Sequence, residues 1–155
     1  MGKKSTLVLG VGNFLLSDEG VGIHVAHQLQ NMPLTSDVEV IDGGTGGFEL
    51  ITHLEGRKKV IIVDAVRTDD EPGTVYRFTP EDIAPHRQDS FSVHQLSLHE
   101  LFSFVQKMMS PPEVVVYGVV PQETKLFSTK LSKVVRRGVM RMLPALIEEI
   151  CQTNK

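Results

Sequence analysis

The stretch GVGNFLLSDEGVG, residues 10–22, decides the fold because it joins an apolar run to a helical pattern through a glycine-rich turn. The run before it, TLVL (6–9), is typical of a buried strand. The residues after it, VGIHVAHQLQ (21–30), carry apolar side chains three and four positions apart, as a helix does. The glycines of the turn could cradle a phosphate, whereas its two adjacent acids, Asp18 and Glu19, could bind a cation.

Short β-rich runs alternate with longer helical patterns along the rest of the chain. The predicted strands are TLVLG (6–10), VEVID (38–42), KVIIVDA (59–65), TVYRF (74–78) and VVVYGVV (114–120). The predicted helices cover residues 21–30, 47–55, 92–109 and about 129–150. Continuous Val/Ile/Leu runs are typical of strands covered by helices on both faces. We therefore predict an α/β fold, a three-layer sandwich whose mostly parallel, twisted sheet has about five strands. The strand after the Pro72-Gly73 turn is the predicted antiparallel edge strand.

Composition limits the domain count and the classes of partner. A chain of 155 residues with 41% hydrophobic content suits a single domain, predicted over residues 1–155. Its 16 basic and 19 acidic residues provide no basic excess for binding nucleic acid. No apolar stretch approaches the roughly 20 residues that span a bilayer, and the single Cys151 cannot form an internal disulfide. We expect a cytoplasmic protein that binds neither nucleic acid nor membrane, of a size compatible with a monomer.

Acidic residues follow three of the predicted strands. Asp18 and Glu19 come after the first strand, Asp42 ends the second and Asp64 ends the third. In an open parallel sheet, ligands bind beyond the carboxyl ends of the strands, near the point where the strand order reverses. The sequence therefore predicts an acidic site at that edge.

Two chemistries are open for this edge. Gly10 and Gly12 supply the first two glycines of a dinucleotide-binding fingerprint, but the third glycine is misplaced and the adjacent acids would repel a phosphate. The alternative is a metal site made of Glu19, Asp64 and His94, the last in the first turn of the predicted 92–109 helix. A mixed carboxylate and imidazole set suits a divalent transition metal such as nickel or zinc.

Each candidate also has a structural interpretation. Acids at the start of a helix complement its dipole, and we favour that role for Asp18. A buried carboxylate without a partner is costly, so a role in the site is favoured for Asp64 over a structural hydrogen bond. For His94 the metal-ligand and helix-cap interpretations are equally supported. Cys151 has no paired His and no helix start beside it that would activate its thiol as a nucleophile. The sequence also contains neither of the hydrolase motifs G-x-S-x-G and H-E-x-x-H.

A glycine string follows the second strand. Asp42, Gly43, Gly44 and Thr45 begin it, and the glycines can adopt positive φ and let another backbone approach closely. This segment is either a connector from strand to helix or a rim that binds a peptide substrate. We favour the rim.

The motifs GVGNFLLSDEGVG, IDGGTGGFEL, IIVDAV, SVHQLSL and YGVVP, in this order and at these separations, resemble those of the [NiFe]-hydrogenase maturation endopeptidases. The resemblance extends from about Thr6 to Ile150. The three metal-contacting residues of that family fall on Glu19, Asp64 and His94. The resemblance thus points to the same three residues as the strand-end argument.

The resemblance implies an endopeptidase, related to the aspartic type, that removes a C-terminal extension from the large-subunit precursor of a [NiFe]-hydrogenase after nickel insertion. The precursor's nickel would be the recognition element, so the enzyme would need no stored metal, although other divalent metals could occupy the site. The main alternative is a non-catalytic nickel carrier or chaperone that uses the same three residues. A nucleotide-binding module is a third, which the acidic turn disfavours.

Overall fold

The computed structural model of the protein describes residues 2–82 and 98–152. Their strands are β1 (Thr6–Gly10), β2 (Val38–Asp42), β3 (Lys59–Ala65), β4 (Val75–Phe78) and β5 (Glu113–Val119). Their α-helices are α1 (Val21–Gln30), α2 (Ile51–Leu54), α3 (Leu98–Gln106) and α4 (Lys133–Gln152). Short 3-10 turns cover Ser17–Gly20, Phe48–Leu50 and Pro80–Asp82.

The sequence pattern predicted the bounds of every strand to within one residue. β1, β2 and β3 have the predicted bounds, β4 begins one residue later than predicted and β5 lies one residue earlier. The predicted helix over 47–55 is instead a 3-10 turn followed by the single helical turn α2. The predicted helix over 92–109 overlaps α3, and residues 92–97 lie outside the described residues.

The five strands form one sheet in the order β2-β1-β3-β5-β4. The first four in this order are parallel to their neighbours, and β4 runs antiparallel to β5 at the edge, as predicted. After β1 the chain adds β2 on one side and then crosses to add β3 on the other. The strand order therefore reverses between β1 and β3, and a ligand crevice is expected at their carboxyl ends.

Helices cover both faces of the sheet, which confirms the three-layer sandwich. On one face, strand residues such as Leu9 and Ile62 pack with α2 and α3. On the other, Val8 and Ile61 pack with α1 and α4. The central strands β1 and β3 are buried along their whole length, which explains their uninterrupted apolar sequences. Among the described residues, no helix combines the length and apolar character needed to cross a membrane.

A buried ionic cluster joins α4 to three strands. The Glu149 carboxylate, 7% exposed, accepts hydrogen bonds from Lys59 Nζ at 2.5 Å and Arg77 Nε at 2.6 Å. It also accepts one from the Tyr117 hydroxyl at 2.9 Å. Burial opposes ionisation of Glu149, but the hydrogen bonds from these three donors outweigh it and lower the pKa of Glu149 to about 2. Glu149 is therefore ionised, and both of its carboxylate oxygens accept hydrogen bonds.

Replacing Glu149 with Gln is expected to lower the free energy of unfolding at pH 7 by about 3 kcal/mol, because it leaves the buried Lys59 ammonium without its nearest counter-charge. The folded-state pKa of Glu149 lies below the 4.5 of the unfolded chain. The stabilisation is therefore complete above about pH 4.5 and is lost as the pH falls towards 2. Urea unfolding of wild type and variant at several pH values would measure this.

Glu148→Gln is the matched control, since Glu148 is the exposed neighbour and its carboxylate accepts a 3.4 Å hydrogen bond from the Gln152 side chain. That variant should unfold like the wild type. A Glu149→Gln variant as stable as the wild type at pH 7, or a difference that does not shrink in acid, would contradict the role of the cluster.

Candidate functional site

The glycines of the 10–22 stretch permit direct backbone contact between α1 and the two central strands. A side chain at Gly10 would collide with the Gly22 carbonyl oxygen, and one at Gly22 would collide with the carbonyl oxygens of Val63 and Val11. The start of α1 thus lies directly on β1 and β3. Close packing accounts for these glycines, so they no longer support a phosphate cradle.

The turn after β1 folds back so that Glu19 points inward. Gly12 has a φ of 144°, a backbone conformation that favours glycine, and a side chain there would collide with the Glu19 carbonyl oxygen. The Asn13 N–H donates to that same oxygen at 3.1 Å, and the Val11 N–H donates to the Val63 carbonyl at 3.0 Å. As a result Glu19 is 2% exposed at the carboxyl end of β1.

Asp18 anchors the segment between β5 and α4. Its fully buried carboxylate accepts hydrogen bonds from the backbone N–H groups of Gln122, Glu123 and Ser132 at 2.8–2.9 Å. The Ser132 hydroxyl adds a fourth at 2.7 Å. The helix-dipole interpretation of Asp18 therefore missed its main role, which is to fasten residues 121–132 beside the site.

The anchored segment and the turn before Glu19 carry exposed apolar side chains. Backbone hydrogen bonds join Ser128 N–H to the Leu15 carbonyl at 2.9 Å and Ser17 N–H to the Ser128 carbonyl at 2.8 Å. Leu15, Leu126 and Phe127 are 58%, 58% and 83% exposed, and we call these three residues the apolar rim. The Glu19 N–H donates to the Leu16 carbonyl at 3.1 Å, so the rim adjoins the turn that carries Glu19.

Glu19 forms an ion pair that the sequence analysis did not anticipate. Arg67 Nη2 donates to Glu19 Oε1 at 2.5 Å, and the Arg67 side chain is 58% exposed. Arg67 follows the end of β3, three residues after Asp64. A basic residue just beyond the acid at the end of a strand could have indicated an ion pair. The sequence does not identify the partner, because Glu19 lies 48 positions away from Arg67.

Asp64 is a buried acid with incomplete hydrogen bonding. Its Oδ1 accepts the Ala65 N–H at 2.7 Å, while the buried Oδ2 has no hydrogen-bond partner among residues 2–82 and 98–152. Burial raises the pKa of Asp64 well above the usual 3.8, and the nearby negative charge of Glu19 raises it further. The Ala65 N–H and the Arg67 charge lower this pKa but do not offset the effect of burial. A strongly perturbed acid in a crevice is a candidate functional group.

The structure thus brings together two of the three predicted metal contacts. Glu19 and Asp64 lie close enough for the charge of one to alter the pKa of the other. The third, His94, lies outside the described residues. Within the described part of the chain, no three His, Cys, Asp or Glu residues are grouped closely enough to hold a metal ion. The complete trio stays a prediction.

The predicted peptide rim lies along the same sheet edge. The Gly43 N–H donates to the Gly10 carbonyl at 2.8 Å, and the Gly12 N–H donates to the Gly44 carbonyl at 2.9 Å, which fastens the glycine string to the turn after β1. Within this string, residues 43–47, Gly44 alone has a positive φ, at 54°. Thr45 is exposed. Substrate binding by this segment stays a prediction.

Asp42, which begins the predicted peptide rim, has a hydrogen-bond partner outside that segment. Its Oδ2 lies 2.7 Å from His27 Nε2, and its Oδ1 accepts the Gly44 N–H at 2.9 Å. The Asp42 side chain is 37% exposed. Asp42 is therefore an accessible carboxylate, in contrast to the buried pair.

Comparison with known proteins identifies the family. The family model described as hydrogenase maturation protease (HycI) matches residues 23–151, most of the chain. The chain belongs to the hydrogenase maturation protease family. The matched region begins after Glu19 and includes Asp64.

Members of this family are similar to the chain over most of its length. The hydrogenase 2 maturation protease of Escherichia coli is 36% identical over 119 residues, 75% of this chain and 73% of that protein. The solved structure of the hydrogenase maturating endopeptidase HybD from E. coli has a TM-score of 0.78 at 32% identity, over 93% of both chains. A hydrogenase 2 maturation peptidase from a Thaumarchaeota archaeon has a TM-score of 0.73 at 31% identity, over 95% of this chain and 98% of that chain. The predicted family and fold are confirmed, and the protein is a peptidase.

Replacing Asp64 with Asn is expected to stabilise the protein at pH 8, because Asn keeps an oxygen for the Ala65 N–H and removes a buried charge. The folded-state pKa of Asp64 lies above the 3.8 of the unfolded chain. Wild type therefore loses stability as the pH rises from about 4 towards that pKa, by up to about 1.4 kcal/mol per pH unit. The variant has no carboxyl group at this position and does not show this loss. Chemical unfolding at pH 4 and pH 8 measures the difference.

The exposed acid Asp69 offers a control for the same chemical change. Asp69→Asn should leave the free energy of unfolding near the wild-type value at both pH values. Finding Asp64→Asn less stable than wild type at pH 8 would mean that the carboxylate of Asp64 stabilises the folded chain, contrary to this description.

Proposed function

We propose that this protein removes the C-terminal extension of a [NiFe]-hydrogenase large-subunit precursor after nickel insertion, and that it recognises the nickel held by the precursor. Membership of the hydrogenase maturation protease family supports the processing role. The names of its relatives refer to hydrogenase maturation, which supports a hydrogenase precursor as the substrate. In this proposal nickel is part of the substrate.

The buried pair Glu19 and Asp64 is the observation that carries the proposal. Carboxylate oxygens are suitable ligands for a divalent cation, and Asp64 Oδ2 is a buried oxygen without a hydrogen bond among the described residues. A cation beside Asp64 would favour its ionised form and offset the unfavourable burial. The donors therefore fit a metal ion that arrives with the substrate.

His94 is the proposed third contact, on the strength of the strand-end argument and the family resemblance. Three side chains from separate parts of the fold could add to the ligands that the precursor already provides for nickel. Such contacts would fix the scissile peptide beside the metal, an effect of orientation that can contribute strongly to rate. A precursor without nickel would lack this anchor.

The apolar rim supports a polypeptide substrate. Exposed apolar side chains grouped on one surface commonly mark a site of protein interaction. In this protein Leu15 and Phe127 are held by the backbone hydrogen bonds of Ser128 and lie next to the turn that carries Glu19. A partner bound there would lie beside the turn that carries Glu19.

Incubation with nickel-loaded and metal-free precursor, followed by intact-mass analysis, tests the proposal. We expect loss of a C-terminal peptide from the loaded form only. Glu19→Gln, Asp64→Asn and His94→Ala should each lower the rate of that cleavage by at least about 100-fold, since each removes a contact that orients the metal. Asp69→Asn should cleave at the wild-type rate.

Cleavage of both precursor forms at equal rates, or of the loaded form at full rate by Glu19→Gln, would refute recognition through nickel. Stoichiometric nickel binding by the protein, without shortening of a cognate precursor, would instead favour the nickel carrier.

A further inference from the structure

Arg67 places an exposed cation on a buried anion. Its guanidinium donates to Glu19 Oε1 at 2.5 Å, and Glu19 is 2% exposed whereas Arg67 is 58% exposed. The arginine approaches from the solvent side, and its charge also acts on Asp64. One accessible side chain therefore brings positive charge to both acids at this edge of the sheet.

A metal ion and Arg67 would compete for the same carboxylate. An arginine keeps its charge at every pH at which the protein is folded, so the ion pair cannot be released by deprotonation. A cation bound at Glu19 and Asp64 must either displace the guanidinium or remain close to a like charge, and both outcomes weaken binding. Displacement is feasible because most of the Arg67 side chain lies in solvent.

We propose that Arg67 is a placeholder cation that occupies the Glu19 carboxylate until the nickel of a bound precursor displaces it. Arg67 then makes the site select nickel held in a precursor over free metal ions. This inference rests on the proposed function of the same site. It assigns a specificity role to a residue that does not itself contact the metal.

The selection follows from the number of contacts that each ligand makes. A free ion must break the Arg67 ion pair with its own coordination energy alone. A precursor also binds through its polypeptide, so its nickel meets Glu19 at a high effective concentration. Once displaced, the guanidinium has five N–H donors at the mouth of the site, suited to carbonyl or carboxylate oxygens of the precursor.

Calorimetric titration of the precursor-free protein with NiCl2 at pH 7.5 tests the placeholder directly. Arg67→Gln is expected to bind nickel about tenfold or more tightly than wild type, because the competing charged hydrogen bond is absent. Arg67→Lys keeps the charge and should bind nickel like wild type. Arg137→Gln makes the same change of net charge at an exposed site on α4 and should also bind nickel like wild type.

Two further measurements separate competition from a general change in charge. The double variant Glu19→Gln, Arg67→Gln should lose the gain in nickel affinity, since the contested oxygen is altered. Metal-free Arg67→Gln should melt at a lower temperature than wild type, and added NiCl2 should raise its melting temperature more than that of wild type.

Nickel binding by Arg67→Gln no tighter than by wild type, including no measurable binding by either, would overturn the placeholder. An equal gain in Arg137→Gln would do the same. These results do not depend on cleavage. Wild type that processes loaded precursor while Arg67→Gln shows no gain would refute the placeholder alone, and a confirmed gain without any processing would refute the proposed function alone.

Discussion

The contact of the α1 backbone with the two central strands is the constraint on which the site depends. At Gly22 there is no room for a side chain between the helix and the carbonyl oxygens of Val11 and Val63. Since α1 begins this close to the sheet, the chain leaving β1 must turn back within a few residues, and Gly12 makes that turn. The turn brings Glu19 to the edge of the sheet at the point where the strand order reverses, next to the end of β3.

Two buried acids show how hydrogen-bond donors decide the effect of burial on a carboxylate. Glu149 has three donors, and together they outweigh the unfavourable effect of burial and hold its pKa at about 2. Asp64 has the Ala65 N–H on one oxygen and no described hydrogen bond on the other, so burial raises its pKa. A fold that retains such an acid gives up stability at that position, a pattern common at sites that await a ligand.

Local sequence patterns predicted the parts of this structure that depend on nearest neighbours. β1 and β3 were located because strands buried on both faces need uninterrupted apolar sequences, and Asp64 was selected because it lies at the end of such a strand. The Arg67 to Glu19 ion pair and the anchoring of residues 121–132 by Asp18 were not predicted. Each joins residues at least 48 positions apart, and nothing in the local sequence specifies the partner. His94, predicted from the same edge argument, lies outside the described residues.

The central claim is that the carboxylates at this edge contact nickel carried by the precursor. Nickel K-edge X-ray absorption of the loaded precursor, recorded alone and rapidly frozen after the protein is added, tests it most directly. The account predicts added oxygen and nitrogen ligands at the nickel in the complex, and a smaller gain with Glu19→Gln. An unchanged nickel spectrum, in a sample where gel filtration shows that protein and precursor are bound to each other, would contradict it.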